Sequence, residues 1–346
     1  MHGGDVARAA RESGTSADGI LDFSANVNPL GLPAGAAERL ARDARDPRTV
    51  SQYPDPAAQE LRSLLSGKLG VAEESIVVGA GASALIQAAV HALAPRRCVI
   101  PVPAFSEYAR AGRAYGCAIH TVPLHASETL READLVVINN PHNPTGGCTS
   151  RREMLERVAR ARSSGAAVLV DEAFIDYAPA EAITFDAALQ SGVVAVRSLT
   201  KFWGCPGLRA GFAVAAPETA AVLAAQVPAW PVTTLALNAL AEALRDCEYA
   251  RVTLETNERE RSRLSEALRR LGCEVSPSAA NFLFVRLPDG VCAVQVRDRL
   301  IREHAILVRE CESFEGVEPG HYIRVAVRNE QENARLVEAL ERVLQR

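Results

Sequence analysis

Apolar residues follow two rhythms along this chain. Between about 75 and 215, short apolar runs occur at Ser75–Val78, Cys98–Val102, Ala118–Val122, Leu135–Ile138, Ala166–Val170, Val193–Val196 and Ala210–Ala215. A strand with one wet face alternates apolar and polar positions, whereas several of these runs are continuously apolar, as strands covered on both faces are. Amphipathic stretches such as Arg151–Ser163 separate them and read as crossover helices. The alternation predicts an α/β unit around a mostly parallel sheet, with its working residues at the carboxyl ends of the strands. The polar clusters fall there: after Val78, Val102, Ile138, Val170 and Val196.

Outside that region the pattern changes. Asn28-Pro29 and Gly31 are turn signals, so the N-terminal segment around Leu21–Gly31 is expected to be extended. Asp55 is placed to cap a helix with Pro56 at its first position, continued by Leu61, Leu64 and Leu65 at helical spacing. Beyond Pro217 come a long charged helix over roughly Tyr249–Leu271, strand candidates at Asn281–Val285, Ile306–Val308 and Tyr322–Val327, and a closing helix over Glu332–Leu344. The expected division is a large α/β domain over 46–248 and a smaller α+β domain formed by 1–45 and 249–346.

Composition narrows the function. The 346 residues, 48% hydrophobic, allow a large core. A net charge of -4 and a pI near 6.0 give no electrostatic ground for nucleic acid or an anionic membrane. No apolar run reaches bilayer length and the first residues lack a signal-peptide core, which predicts a cytoplasmic protein. Eight scattered cysteines without a C-x-x-C pair, and seven histidines without H-x-x-x-H spacing, predict reduced thiols and no metal site.

Against this background one residue stands out. Lysine occurs twice, at Lys68 and Lys201, and every other basic side chain apart from histidine is arginine. An amine can lose its proton and condense with a carbonyl, which a guanidinium cannot. Lys201 lies among Ser198, Thr200, Gly204, Gly207 and Arg209, hydroxyls and a guanidinium suited to an anion. Gly79-Ala80-Gly81-Ala82-Ser83 follows a strand and opens a helix, where N–H groups bind phosphate. The same stretch matches a dinucleotide fingerprint, but the region some 20 residues on carries Arg96-Arg97 and no acid for a ribose. Phe105 leaves the next strand and offers a face for a planar ring. Asn143, in a rigid loop with two Asn-Pro pairs, offers a donor to a phenolic oxygen or a carboxylate. Asp171 ends a buried strand, where a carboxylate needs a cation or strong donor such as a protonated pyridine nitrogen.

The ordered set Asn140–Gly146 (NPHNPTG), Asp171–Phe174 (DEAF), Ser198–Lys201 (SLTK) and Gly207–Gly211 (GLRAG) resembles the fold-type-I pyridoxal-phosphate enzymes, over essentially the full chain. Within them it resembles the branch containing histidinol-phosphate aminotransferase and threonine-phosphate decarboxylase. The resemblance implies an aspartate-aminotransferase-like fold, a homodimer with shared active sites, and pyridoxal 5′-phosphate bonded to Lys201. It implies that Asp171 pairs the pyridine nitrogen, Asn143 the phenolic oxygen, and Phe105 the ring face. Gly81, Ala82, Ser83, Ser198 and Arg209 would hold the cofactor's phosphate, joined by Tyr53 of the other subunit. Arg324, with Arg309 second, would bind a substrate anion. Phe174, where the aminotransferases carry tyrosine, and the N-terminal His2-Gly3-Gly4 with Phe23–Pro29 are similar to threonine-phosphate decarboxylase. That likeness implies His2 and Asn28 as further substrate contacts and decarboxylation of L-threonine O-3-phosphate for cobalamin synthesis. A histidinol-phosphate-type aminotransferase and a non-catalytic phosphate-ligand binder stay open on the sequence.

Overall fold

The structure, a computed structural model, describes residues 3–14, 16–124 and 134–345. Seven strands form the larger sheet: β1 (Ile76–Gly79), β2 (Arg97–Val102), β3 (Ala118–Pro123), β4 (Asp134–Asn139), β5 (Ala167–Asp171), β6 (Val193–Ser198) and β7 (Gly211–Val214). Their order is β1-β7-β6-β5-β4-β2-β3. β7 runs antiparallel to both neighbours and all other pairs are parallel.

The apolar runs explain this sheet residue by residue. In β5, Leu169 joins the core on one face while Val168 and Val170 join the core on the other. In β6, Val194 and Val196 divide from Val193 and Ala195 in the same way. Both faces are therefore apolar, and helices such as Ala82–Leu93 and Arg151–Ser163 cover them.

A four-stranded antiparallel sheet follows, built from β8 (Glu274–Val275), β9 (Phe282–Arg286), β10 (Arg309–Glu310) and β11 (Tyr322–Ala326) in the order β10-β11-β9-β8. Its core takes in Leu21 and Phe23 as well as Leu336, Leu340 and Val343 of the closing helix Glu330–Leu344. A 24-residue helix, Cys247–Arg270, links the regions. At 1.5 Å per residue it is about 36 Å long. Among the described residues, no helix is long and apolar enough to cross a membrane.

Three local expectations change. The helix after Asp55 starts at Gln59, not at Pro56: Asp55 accepts from the N–H groups of Ala57 and Gln59 at 2.9 and 2.7 Å, and Ala58 adopts φ +48° between them. The N-terminal segment also holds helices at Val6–Ser13 and Ala34–Arg45, on either side of the extended stretch. The run Ile306–Val308 is divided. Ile306–Leu307 pairs in parallel with Leu21–Asp22, and the chain then passes to β10. That division sets Arg309 directly opposite Arg324.

Candidate active site

A cavity of about 420 Å³ opens at the carboxyl ends of β1, β2, β4, β5 and β6. β5 delivers Asp171, whose carboxylate accepts from the Tyr108 hydroxyl at 2.5 Å and from the Ala173 N–H at 2.9 Å. Burial raises its pKa, while those hydrogen bonds and the charge of Lys201 act the other way. Phe105 lines the same cavity, its ring edge-on to that of Tyr108 at 5.7 Å. The sequence pattern left Tyr108 without a role. Its signal is the three-residue spacing from Phe105 at the start of the helix Ser106–Ala114.

β6 ends at Ser198, and Lys201 follows in the cavity wall. Burial first, then the charges of Arg324 and Arg209, lower the Lys201 pKa to about 8. An amine so placed keeps an accessible uncharged fraction near neutral pH, as a nucleophile requires.

A cradle lies beside it. The helix Ala82–Leu93 begins after Gly81 (φ +90°) and has no side-chain cap, leaving its first N–H groups for an anion. Ser83, Ser198, Thr200 and Arg209 reach the same space, and the Ser198 and Thr200 hydroxyls lie 2.9 Å apart. A Cβ on Gly81 would stand 3.0 Å from Arg209 Nη2, and one on Gly211 3.0 Å from the Ala82 nitrogen. Glycine at both positions is what lets the arginine and the helix start converge.

The opposite wall carries Arg309 and Arg324, 8% and 6% exposed and directly opposite each other on β10 and β11. Like charges so placed repel, and among the described residues neither guanidinium meets a carboxylate in an ion pair. Burial lowers the pKa of both, that of Arg324 to about 10. Arg324 donates to Asn143 Oδ1 and to the Ser24 carbonyl. Because a guanidinium only donates, this fixes the Asn143 amide with its oxygen toward Arg324 and its NH2 as the group left to donate. Arg324 Nε and Asn26 Oδ1 are buried without a hydrogen-bond partner among the described residues, and both side chains line the cavity. Asn26 went unassigned in the sequence, where it sits two residues before the conspicuous Asn28-Pro29 turn.

Two expected residues stand elsewhere and a third lies outside the described residues. Asn28 does not line this cavity, which corrects its expected substrate contact. Its N–H donates to the Lys201 carbonyl at 3.1 Å, and its amide NH2 reaches the Phe202 carbonyl (2.8 Å), Tyr249 Oη (3.0 Å) and Thr253 Oγ1 (3.0 Å). Its polar groups are spent on bracing the backbone that carries Lys201. Tyr53 is 78% exposed, stacks on Trp230 at 4.4 Å and does not line its own chain's cavity. His2 lies outside the described residues; its neighbour Gly3 lines the cavity and runs so close to Ser24 that a Cβ would meet the Ser24 carbonyl oxygen at 2.1 Å.

The model of the family "Aminotransferase class I and II" matches residues 18–340. The chain belongs to this family. It is 34% identical to the threonine-phosphate decarboxylase of Salmonella typhimurium, over 99% of this chain and 96% of that protein. It is 32% identical to the histidinol-phosphate aminotransferase of Akkermansia muciniphila, over 99% of this chain and 95% of that protein. Among solved structures, the L-threonine-O-3-phosphate decarboxylase of Porphyromonas gingivalis superposes with a TM-score of 0.85 at 26% identity, covering 94% of this chain and 99% of that one.

The family's enzymes work with pyridoxal 5′-phosphate, and the residues present fit that group. A buried carboxylate with room for a cationic partner, an amine of lowered pKa and an uncapped helix start ringed by hydroxyls face one space. Tyr108→Phe removes the hydroxyl that favours the charged form of Asp171. The acid's pKa is therefore expected to rise further, moving the acidic limb of the kcat/KM–pH profile to higher pH, with a loss of about 1.5–3 kcal/mol in thermal unfolding for a hydrogen bond to a charged group. An unmoved acidic limb would mean that Tyr108 only packs.

Proposed function

We propose that the protein decarboxylates L-threonine O-3-phosphate to CO2 and (R)-1-amino-2-propanol O-2-phosphate, for cobalamin synthesis, with pyridoxal phosphate held by this site. The observation that carries the reading is the pair of buried guanidiniums, Arg309 and Arg324, facing a cavity that also holds Lys201. Two cations without a carboxylate suit a ligand with two negative charges, and a phosphate monoester has them.

In this reading Asp171 would pair the pyridine nitrogen, Phe105 would cover the ring and the Asn143 NH2 would donate to the phenolic oxygen. Gly81, Ala82, Ser83, Ser198 and Arg209 would hold the cofactor's phosphate. When bound, pyridoxal phosphate supplies an electron sink for the pair left at the substrate's α-carbon when a bond there breaks. This chain's residues decide which bond that is. Arg309 and Arg324 would take the substrate's phosphate, leaving its carboxylate without a guanidinium to hold it. The C–C bond to the carboxylate would then break, CO2 leaving without the bonding pair, and protonated Lys201 Nζ would donate a proton to the α-carbon. Asn26, which lines the cavity with Ser24, would orient the substrate. His2 would add to the phosphate contacts.

Phe174 supports decarboxylation over amino transfer. Where the resembling aminotransferases carry a tyrosine hydroxyl, this ring packs edge-on against Phe282 at 5.0 Å and brings no donor. Tyr53, exposed and outside its own cavity, supports a homodimer in which it serves the partner's phosphate cradle.

Carbon dioxide release from O-phospho-L-threonine, set beside glutamate-dependent amino transfer to imidazole-acetol phosphate, tests the proposal. Release without transfer is the expected result. Transfer without release would assign the aminotransferase reaction instead.

A further inference from the structure

The segment Cys311–Val317 leaves β10 and crosses to the larger sheet. Thr121 of β3 donates to Glu315 Oε1 at 2.8 Å, and Gly316 (φ +84°) passes so close to Val102 that a Cβ would stand 3.2 Å from its Cγ2. Anchored at that end, the segment sets two side chains against the arginine pair. Ser313 Oγ accepts from Arg309 Nη2 at 2.6 Å. Phe314, 7% exposed, lines the cavity with its ring centroid 5.3 Å from the Arg309 guanidinium carbon and 5.9 Å from that of Arg324. One ring is thus shared by two buried cations that repel each other.

We infer that Phe314 is a specificity-determining residue, which holds Arg309 and Arg324 in convergence so that the site selects a phosphate dianion over an isosteric monoanion. An aromatic ring attracts a cation over its negative face, and the attraction grows when water is excluded. That contact replaces part of what a carboxylate would supply, without filling the anion's place. Without the ring, repulsion favours rotation of Arg309, whose guanidinium is otherwise hydrogen-bonded to Ser313 among the described residues, away from Arg324. A monoanion needs one of the two guanidiniums, whereas a dianion gains from both only if they converge. Arg324 is fixed independently by Asn143, Ser24 and the Phe282 ring at 5.2 Å, so the effect falls on Arg309.

This inference rests on the phosphorylated substrate proposed above. The test uses holoprotein reduced with borohydride, so that the cofactor occupies its own cradle and no turnover occurs. Calorimetric titration then compares O-phospho-L-threonine with O-sulfo-L-threonine, of the same shape and one charge fewer. Phe314→Leu, which keeps apolar bulk and removes the ring, is expected to lose about tenfold in affinity for the phosphate ester and about threefold or less for the sulfate ester. Phe314→Tyr, which keeps the ring, is expected to stay within about twofold for both. If Phe314→Leu does not fold, Phe314→Met, which also removes the ring and keeps apolar bulk, carries the same test, with a preferential loss for the phosphate ester. Equal losses for the two esters, or none, overturn the inference while leaving the proposed reaction standing. Failure of the unaltered protein to bind O-phospho-L-threonine overturns the proposed reaction itself.

Discussion

Lys201→Ala is expected to lower turnover by at least about 10³-fold, the scale on which a catalytic nucleophile is missed. It is also expected to abolish the visible absorbance of covalently held cofactor in the purified protein. The amine lies among Arg209, Arg324 and buried surface, which together hold its pKa near 8, so the uncharged form is accessible at working pH. Lys201→Arg should be as inactive as the alanine variant, because a guanidinium in the same place stays charged and does not attack a carbonyl. Folding should survive both changes: the backbone at this point is held by Asn28 through the Lys201 and Phe202 carbonyls, not by the amine. Activity within tenfold of the unaltered enzyme would remove Lys201 from the chemistry.

The second large effect is expected at Arg324. Arg324→Met should lower kcat/KM for the phosphorylated substrate by about 10²–10³-fold, since it withdraws one of two desolvated cations from the anion and frees the Asn143 amide to turn. Melting temperature should move in the opposite sense or not at all. A buried guanidinium with no carboxylate ion pair among the described residues, facing Arg309 on the neighbouring strand, costs the cofactor-free protein folding energy that an apolar side chain of similar length does not. Steady-state kinetics and a thermal melt of the same variant check both halves. A large fall in stability with little change in KM would make Arg324 a structural residue. Arg324→Lys should fall between, because an ammonium lacks the fork that reaches Asn143, Ser24 and a ligand together.

The larger sheet was legible because its strands are buried on both faces: an unbroken run such as Ala166–Val170 has few other destinations in a soluble protein. The cavity's residues were legible for a related reason, as polar residues stand out directly after such strands. Asp171, Asn143 and Lys201 each lie within a few positions of a strand end. The smaller sheet was harder to read because short strands carry little periodic signal. Nothing in Ile306–Val308 announces that it divides, so the confrontation of Arg309 with Arg324 belongs to the pairing and not to any local pattern. Asn28 shows the same limit in reverse. Its motif marked it as important, but whether an asparagine faces a ligand or a neighbouring carbonyl is decided by residues 174 to 225 positions away. Tyr108 was hidden because a buried tyrosine looks like core until its hydroxyl is seen on a carboxylate.

The helix Cys247–Arg270 is seated at both ends. Tyr249 and Thr253 meet Asn28 beneath Lys201, and Leu264 and Leu268 lie in the core of the smaller sheet. Deleting one residue between those seats would turn the far half by about 100° and swing both leucines out of their core. Insertions and deletions are therefore barred from residues 254 to 263, whereas surface exchanges there are cheap. In that stretch the outward positions are free in spelling, whereas the buried Asn257 and Glu260, and the count of residues, are not.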